Sequence, residues 1–418
     1  MFIGIVADDL TGATDSVAPF AQQGYTAGVC LSANTGTSAP DCAWDAVAVN
    51  TGIRDRRRIN TTLITSIVRR ATRRLVACEP HLYFKKIDST LRGHLRAELD
   101  GMLGELPGRM ALICPASPAN GRTVENGILY VHGVPLSETG FIAGAAEPER
   151  FATVRAAFGM SNDLTAGEIY LSVLRAGHAS VDAELERRFD AGVRTLFCDA
   201  AAPNDLRILA QALLRRPERY LPVGSAGFTR ALSESLPVNA EAESPSWNES
   251  IFTRGRVLIA IGSLHPISRR QARRVLEESG IRPLILHLGG EVEELLNEEI
   301  FRERLRAGEN LFVMITPEAV NTPGSHYPIE RLLWDMALWA DLPVTESPFD
   351  GYVVSGGDTA QKICNAWHGK YLRISGENEP GVVCATMARY GDQPDIPMIL
   401  KAGGFGDEGT LARCVGLE

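Results

Sequence analysis

Two adjacent aspartates follow the first apolar run of the chain. In IVADDLTGATD, Asp8 and Asp9 come directly after a strand-like segment and stand at the start of a predicted helix. Carboxylates at the end of a strand can bind the hydroxyl groups of a polyol, accept a proton as a base or hold Mg²⁺. Because aspartate is also a common capping residue, one of the two could simply cap the helix.

Charged residues accompany two further apolar runs. Arg54 follows AVAVN, and YFKKIDSTLRGH carries Lys86, Asp88, Ser89 and Arg92. A charge inside a buried run is costly unless it is paired or functional. Arginine can bind a carboxylate through two parallel hydrogen bonds, and nearby hydroxyl and acid groups suit a polyol. These residues are therefore candidates for holding a small hydroxy acid; the alternative is a solvated edge with a structural lysine–aspartate pair.

Three glycine-rich turns follow apolar strands in the second half of the chain. They contain Ser263 after RVLIAIG, Gly356, Gly357, Asp358 and Thr359 in GYVVSGGDTA, and Gly403 and Gly404 in MILKAGGFGDEG. Such turns let backbone N–H groups approach a ligand, and the helix that follows adds unpaired N–H groups and the positive end of its dipole. One turn alone is more often a tight connection, but three in one domain predict a phosphate-bearing ligand.

Several common motifs do not account for these turns. Gly404, Gly406 and Gly409 formally match GxGxxG, but the few residues after Gly409 leave no room for the second strand and ribose-binding acid of a dinucleotide site. The P-loop pattern GxxxxGK[ST], the haloacid-type phosphatase pattern DxDxT and metal-ligand spacings of His and Cys are absent from the sequence. The turns therefore predict phosphate binding without a known nucleotide signature.

Short apolar runs alternate with longer amphipathic stretches along the chain. This alternation is typical of βα units and a parallel sheet. In the first half we predict strands near residues 2–7, 26–31, 45–49, 82–87, 109–114, 194–198 and 220–223, and helices over 58–77 and 181–192. In open α/β sheets ligands collect at the carboxyl ends of strands, which is where all these candidate residues lie.

Residues 115–139 interrupt this alternation. The segment is crowded with Pro, Gly and Asn and is too long for an ordinary connection. Long structureless loops in compact domains are usually functional or disordered, and the interleaved Ile128, Leu129 and Val131 argue against disorder. We therefore expect a functional segment here.

The length and charge of the chain limit its class. It has 418 residues, with 42 Lys+Arg against 51 Asp+Glu and a formal net charge of −9. Since domains run to about 100–200 residues, the polar stretch LPVNAEAESPSWNES predicts a linker between a domain at 1–240 and a second at 250–418.

The acidic surplus argues against a nucleic acid partner. No apolar run reaches the roughly 18 residues of a membrane span, and with neither a basic leader nor a CxxC pair we expect a cytoplasmic protein.

Five motifs occur in a fixed order along the chain: ADDLTGATD, KKIDSTLRGH, PASPANGRTVENG with HGVPLSET, GGDTA, and KAGGFGD. In these motifs the sequence resembles the four-carbon acid sugar kinases, a family once described as a domain of unknown function. The resemblance runs almost from end to end. It implies two α/β domains with mainly parallel sheets and an active-site cleft between them, the N-terminal domain binding a sugar acid and the C-terminal domain binding ATP.

The resemblance also implies roles for particular residues. It places Asp9, Arg54, Lys86, Asp88, Ser89 and Arg92 at the substrate, and Ser263, Gly356, Gly357, Asp358, Thr359 and Gly403 at the nucleotide. From the chemistry of phosphoryl transfer, Asp8 or Asp9 would accept the hydroxyl proton, and the turns at 356–357 and 403–404 would hold the ATP phosphates. Mg²⁺ is expected with ATP, with Asp358 and Asp407 as unassigned candidates for its ligand.

The substrate expected from the resemblance is D-threonate or D-erythronate, phosphorylated at the terminal (4-) hydroxyl. GGDTA and KKIDSTLRG resemble that branch more than the 3-oxo-tetronate branch, which is the alternative. After LSET, the residues GFIAGAAEPERFATVRAAFGMS depart from the DP…PV…S continuation that is usual in the family. A homodimer is the assembly to test.

Two rival classes remain open from the residues themselves. A non-catalytic sugar-acid sensor would keep the first site but has no reason to retain three anion-binding turns, and ATP binding distinguishes it. A nicotinamide dehydrogenase of hydroxy acids would also use glycine turns and a basic clamp, and a cofactor titration distinguishes that class.

Overall fold

The computed structural model describes residues 2–33, 44–54, 59–142, 148–239, 255–279, 283–286, 298–315, 329–391 and 393–417. The chain divides into two compact units, Met1–Glu243 and Ser244–Glu418. The predicted linker over 236–250 lies outside the described residues from position 240 onward. The predicted fold class, two α/β domains with mainly parallel sheets, is confirmed. No helix of the described residues combines the length and the hydropathy needed to cross a membrane.

The first unit contains a parallel sheet flanked by helices. Its strands are β1 (Ile3–Ala7), β2 (Ala27–Cys30), β3 (Ala46–Asn50), β4 (Leu82–Lys86), β5 (Met110–Cys114), β6 (Arg122–Glu125), β7 (Ile128–Val131), β8 (Val134–Pro135), β9 (Ala166–Ile169), β10 (Thr195–Cys198) and β11 (Tyr220–Gly224). Its helices are α1 (Leu10–Gln22), α2 (Thr61–Val76), α3 (Leu95–Leu103), α4 (Val154–Ala157), α5 (Leu171–Arg175), α6 (His178–Asp190), α7 (Pro203–Arg215) and α8 (Ala226–Glu234).

The strand order across this sheet is β2, β3, β1, β4, β11, β5, β10, β9, and every neighbouring pair is parallel. Strands β1, β3 and β4 are buried along their whole length, because helices cover both faces of a parallel sheet. Their apolar runs end together, so that Ala7 is level with Asn50. The residues that follow these strands therefore meet at one edge.

Residues 115–139 are not an irregular loop. Strands β6, β7 and β8 form a separate antiparallel sheet. Two-residue turns join them, and Asn126 and His132 adopt positive φ angles of 51° and 50° there, which is the geometry that such hairpins prefer. The carboxylate of Asp199, just after β10, accepts hydrogen bonds from the backbone N–H groups of Asn126 and Gly127, both at 2.9 Å. This anchors the first hairpin to the large sheet.

The second unit contains a run of neighbouring strands that is mainly parallel. Its strands are β12 (Val257–Ile261), β13 (Pro283–Leu286), β14 (Leu311–Ile315), β15 (Gly351–Ser355), β16 (Gly369–Glu379), β17 (Val382–Arg389) and β18 (Ile396–Lys401). Its described helices are α9 (Pro266–Ser279), α10 (Glu298–Arg306), α11 (Ile329–Trp339), α12 (Gly357–Ala366) and α13 (Thr410–Cys414). The order is β13, β14, β12, β15, β18, β17, β16; the first five strands are parallel, and β17 is antiparallel to β18 and β16.

Candidate functional site

The predicted charged residues of the first unit lie together at the carboxyl ends of β3, β1 and β4. Arg54 follows β3, Asp8 and Asp9 follow β1, and Lys86 ends β4. Backbone hydrogen bonds align the loops, because the Asp8 carbonyl accepts from the N–H groups of Ile53 at 2.9 Å and Arg54 at 3.2 Å. The neighbouring strands thus bring side chains from distant parts of the sequence into contact.

Arg54 connects three carboxylates. Its Nε and Nη2 donate to the two oxygens of Asp8 at 2.7 and 2.6 Å. Its Nη1 lies 2.5 Å from Asp9 Oδ2 and 3.7 Å from Asp88 Oδ1. Only 8% of the Arg54 side chain is exposed. Arg54 is therefore occupied by protein carboxylates, and its role is to hold them in place.

Asp88 and Arg92 form a second bidentate pair. Nε and Nη2 of Arg92 each donate to Asp88 at 2.8 Å, and the Thr90 hydroxyl also donates to that carboxylate. The Arg92 side chain is 55% exposed, whereas that of Asp88 is 11% exposed. Arg92 is thus held in place by Asp88 and is still accessible to a ligand. Ser89 lies in the same turn and is partly buried.

Three charged side chains pack closely around Gly12, at the start of α1. A Cβ atom placed on Gly12 would lie 2.5 Å from Asp9 Oδ1, 3.0 Å from Lys86 Nζ and 3.3 Å from Arg54 Nη2. The absence of a side chain at Gly12 therefore lets a carboxylate, an ammonium and a guanidinium group come close to the start of α1. We call Asp8, Asp9, Arg54, Lys86, Asp88 and Arg92 the charged cluster.

The two adjacent aspartates differ in proton affinity. Burial raises the pKa of Asp9, and the neighbouring Asp8 charge adds to this effect, against the opposing charge of Arg54. For Asp8, burial also favours a higher pKa, but the charge and hydrogen bonds of Arg54, with Lys85 and Lys86, bring it below its ordinary value. Asp9 is therefore the better proton acceptor of the two, although it also caps α1 by accepting the Gly12 N–H at 2.7 Å.

The predicted glycine turns of the second unit also lie at neighbouring strand ends. Strands β12, β15 and β18 are adjacent, and backbone hydrogen bonds join their ends. Ser263 N–H donates to the Ser355 carbonyl at 3.1 Å, and Gly356 N–H donates to the Lys401 carbonyl at 3.1 Å. Gly357 opens α12, and Thr359 is buried one position after Asp358. The three turns therefore form one surface of backbone groups.

Side chains pack closely behind these turns. A Cβ atom on Gly403 would overlap the Ser263 hydroxyl, and the Ser268 hydroxyl donates to the Gly403 carbonyl. Gly404 lies next to the ring of His265. Only a residue without a side chain fits at Gly403.

The two candidate magnesium ligands differ in what already binds them. Asp358 is 75% exposed and pairs with Lys362 at 2.8 Å. Asp407 accepts the Gly409 N–H at 2.9 Å and pairs with Arg413 at 2.9 Å. Within the described ranges, no group of three or more His, Cys, Asp or Glu side chains is arranged to hold a metal.

Some charged residues of these sites were not predicted. Lys401, only 2% exposed, donates to the Ala402 carbonyl at 2.9 Å, and burial lowers its pKa to about 8. Burial also lowers the pKa of Arg122 in β6. The charge of Asp88 acts to raise that pKa, and the charge of Arg92 acts to lower it. Glu98 of α3 forms an ion pair with Lys85 of β4. A signal for Glu98 is its position on the apolar face of α3.

Two family models match the two units. Residues 3–232 match the sugar-binding N-terminal domain, and residues 258–411 match the nucleotide-binding C-terminal domain. The structure also resembles Haemophilus influenzae protein HI1011, of the family DUF1537, with a TM-score of 0.74 over 99% of both chains at 21% identity. That likeness supports the fold.

Relatives that match almost the whole chain are named as kinases. A D-threonate kinase of Cupriavidus necator is 32% identical over 97% of this chain and 95% of its own length. A D-erythronate kinase of Heliobacterium modesticaldum is 26% identical over 98% of this chain and 95% of its own. The chain belongs to the four-carbon acid sugar kinase family and is a phosphotransferase. The family and enzyme class predicted from the five motifs are confirmed.

Proposed function

We propose that this protein transfers the terminal phosphoryl group of ATP to the 4-hydroxyl group of D-threonate or D-erythronate. The observation that carries the proposal is the charged cluster, which combines an accessible arginine with a carboxylate of raised pKa. In this proposal the first unit binds the acid and the second binds the nucleotide. The names of the relatives at 32% and 26% identity support these two substrates.

Arg92 is the residue that we assign to the substrate carboxylate. Its Nε and Nη2 are used by Asp88, which leaves Nη1 on a side chain that is 55% exposed. Guanidinium groups recognise carboxylates with defined geometry. Arg54 cannot serve equally well, because its own donors already bind Asp8 and Asp9.

Asp9 is the residue that we assign to the proton of the acceptor hydroxyl. A base works best when its pKa lies nearer to the working pH, and burial raises the pKa of Asp9 whereas Asp8 is kept below its ordinary value. Asp9 and Lys86 both reach the start of α1 beside Gly12, so a hydroxyl group bound to Asp9 would lie near the Lys86 ammonium. Lys86, together with Arg54, supplies positive charge near the oxygen that loses its proton.

The turns of the second unit are assigned to the ATP phosphates. The backbone N–H groups at the start of α12, with the positive end of its dipole, favour negative charge. When bound, Mg²⁺ would neutralise phosphate charge. Asp358 is the better candidate to hold it, because its exposed carboxylate makes one ion pair while Asp407 is bound by Gly409 and Arg413. We further place the protein in the cytoplasm, where ATP is available.

The test is ADP release with ATP and Mg²⁺ across D-threonate, L-threonate, D-erythronate, L-erythronate and their 3-oxo relatives. We expect one D-acid to respond strongly and phosphorus NMR to show a phosphate ester at C4. A strong response to a 3-oxo acid alone would move the protein to that alternative, and ATP binding without turnover on any acid would refute the proposed acceptor. Light scattering on the same sample tests the homodimer.

Arg92→Ala tests the assignment of the acid site. Since Arg92 would touch only the acid, the KM for the acid should rise about tenfold or more, with the KM for ATP unchanged. Arg96→Ala is a matched control, because Arg96 is also an exposed arginine paired with an aspartate four residues away, Asp100, at 2.9 Å. Loss of ATP affinity in Arg92→Ala would contradict the division between the units.

A further inference from the structure

A second ion pair is buried next to the charged cluster. Lys85 Nζ lies 2.7 Å from Glu98 Oε2, and each side chain is only 1% exposed. Glu98 stands on α3 among buried apolar residues such as Leu95 and Leu99. Replacing a buried ion pair with apolar residues is often neutral or even stabilising. Stability alone therefore does not explain why the chain carries this pair.

The pair contacts both ends of the segment 87–94. Lys85 Nζ donates a hydrogen bond to the Lys86 carbonyl at 2.7 Å, where the segment begins. Glu98 Oε1 accepts the His94 N–H at 2.9 Å, where the segment ends. One ion pair thus holds the two ends of the segment.

The held segment is the one that carries Asp88 and Arg92. Between them, Leu91 has a φ of 60° and is buried. A leucine in this left-handed region is unfavourable and persists only where surrounding contacts impose it. The segment therefore needs external contacts to keep its shape.

The pair is also close to Asp8. A Cβ atom placed on Gly93 would lie 3.0 Å from Asp8 Oδ2 and 3.2 Å from Glu98 Oε1. The two carboxylates therefore approach the same point, and the charge of Lys85 acts on Asp8. Without Lys85, a buried negative charge would face Asp8 with no compensation.

The charges around the two aspartates balance. Arg54, Lys85 and Lys86 act on Asp8, and Arg54, Lys86 and Arg92 interact with Asp9. Glu98 approaches Asp8 beside Gly93, and Asp88 pairs with Arg54 and Arg92. Asp15 acts on Lys86, and Asp88 acts on Arg122. With the two aspartates included, the set holds five positive groups (Arg54, Lys85, Lys86, Arg92, Arg122) and five negative ones (Asp8, Asp9, Asp15, Asp88, Glu98). Loss of one member leaves a single uncompensated charge near the proposed base.

We propose that Lys85 and Glu98 are a positioning pair for the reaction: they hold segment 87–94 in shape and balance the charge beside Asp8, without touching the substrate. The inference rests on the proposed function, because it assigns the acid to Arg92 and the proton to Asp9. It adds Lys85 and Glu98, which would influence the reaction through the positions and charges of Arg92 and Asp9.

The test compares Glu98→Gln with the double variant Lys85→Met/Glu98→Gln. Glutamine can still accept the His94 N–H, but it leaves the Lys85 charge uncompensated. That charge favours ionised Asp9, so the acid limb of the turnover–pH profile should move to lower pH. In the double variant the extra charge is gone, and the limb should return to the wild-type position. On this limb, a displacement of one pH unit changes turnover about tenfold.

The KM for the acid should rise in Glu98→Leu, which cannot accept the His94 N–H, while the KM for ATP stays constant. A purely structural role would lower the stability of all three variants, measured by urea unfolding, and leave the pH profile in place. An unmoved limb in Glu98→Gln, or a double variant displaced as far as the single one, would overturn the proposal.

A second readout does not need turnover. Protein labelled with ¹³C in the aspartate carboxyl groups gives the titration of Asp9 by NMR, identified by the signal that Asp9→Asn lacks. We expect the Asp9 midpoint to fall in Glu98→Gln and to recover in the double variant; an unchanged midpoint contradicts the pair's role. If the wild-type protein phosphorylates none of the acids, the proposed function fails, and this titration still decides the charge balance.

Discussion

The two candidate sites are built by different means. In the first unit, side chains supply nearly every contact, and Arg54 alone joins three carboxylates. In the second unit, backbone groups of three turns form the surface, and Ser268 and Lys401 support them from behind. A sugar acid differs from its relatives by the direction of single hydroxyl groups, which requires directional side chains. Phosphate groups are the same in every nucleotide, and backbone N–H groups suffice for them.

This difference predicts two kinds of sensitivity. The charged cluster should respond to changes of charge that keep the shape, because its groups are buried and paired. The glycine turns should respond to changes of shape that keep the charge, because a single added carbon would overlap a neighbour. Substitutions in each unit can test this contrast.

The largest effect is expected for Asp9→Asn. The substitution removes the proposed base and keeps a side-chain oxygen for the Gly12 N–H, so turnover should fall by about 10²–10⁴-fold with the fold intact. ADP release measures the loss, and binding of a fluorescent ATP analogue should not change. Asp100→Asn, at an exposed ion pair, is the control. Unchanged turnover in Asp9→Asn would make Asp8 the better candidate.

A large loss of stability is expected for Arg54→Met. The change leaves the buried carboxylate of Asp8 without its main partner and removes the ion pair of Asp9, which costs about 3–5 kcal/mol of unfolding free energy. Urea unfolding measures it, with Arg96→Met as the exposed control.

The pH dependence of this loss has a definite sign. Burial opposes ionisation of Asp8 and Asp88, but Arg54 lowers the pKa of both in the folded protein. Groups with a lowered folded pKa stabilise above their unfolded pKa and lose that contribution as pH falls through the folded value. The difference between wild type and Arg54→Met should therefore be largest near neutral pH and shrink in acid. A difference that grows in acid would contradict this account.

An intermediate effect is expected for Gly403→Ala. The new methyl group would overlap the Ser263 hydroxyl, so the turn must shift and ATP affinity should fall about tenfold. Calorimetric titration of ATP measures this change, and acid affinity should stay the same. Gly140→Ala is the control, because a Cβ there meets no atom within 4 Å. Equal ATP affinity in both variants would contradict the close fit.

The smallest effect is expected for Asp358→Asn. The exposed pair with Lys362 contributes little to stability, so the melting temperature should stay close to that of wild type. The Mg²⁺ concentration for half-maximal turnover should rise a few-fold if Asp358 holds the ion. Asp407→Asn should show the reverse pattern, with lower stability and an unchanged Mg²⁺ requirement. The opposite result would assign the ion to Asp407.

Sequence patterns predicted the strand ends but not their contacts. The predicted strand at 45–49 is observed as β3, and the helix predicted over 58–77 begins only at Thr61 because Asn60 caps it. Arg54 pairs with Asp8 because β1 and β3 are neighbours in the sheet. The sequence of either strand alone does not reveal that order. Sequence reasoning could therefore select the charged cluster without separating its binding residues from its supporting ones.

Other features were missed for specific reasons. Strand β9, with the sequence AGEI, has too few apolar residues to stand out. The Asn126-Gly127 pair was a hairpin signal that the surrounding prolines and glycines obscured. Glu98 was missed because its position on the apolar face of α3 indicates burial but does not identify its partner, Lys85, which lies on another element.

The anchored hairpin has a consequence for the chemical ageing of the protein. Asparagine followed by glycine deamidates when the glycine nitrogen attacks the asparagine side chain. Here the Gly127 N–H donates a hydrogen bond to Asp199 Oδ1, with 2.9 Å between nitrogen and oxygen. The reaction should be slow while the hairpin is closed and fast once it opens. Conversion of Asn126 to aspartate or isoaspartate, read by mass spectrometry of stored protein, would therefore record the time this hairpin has spent open.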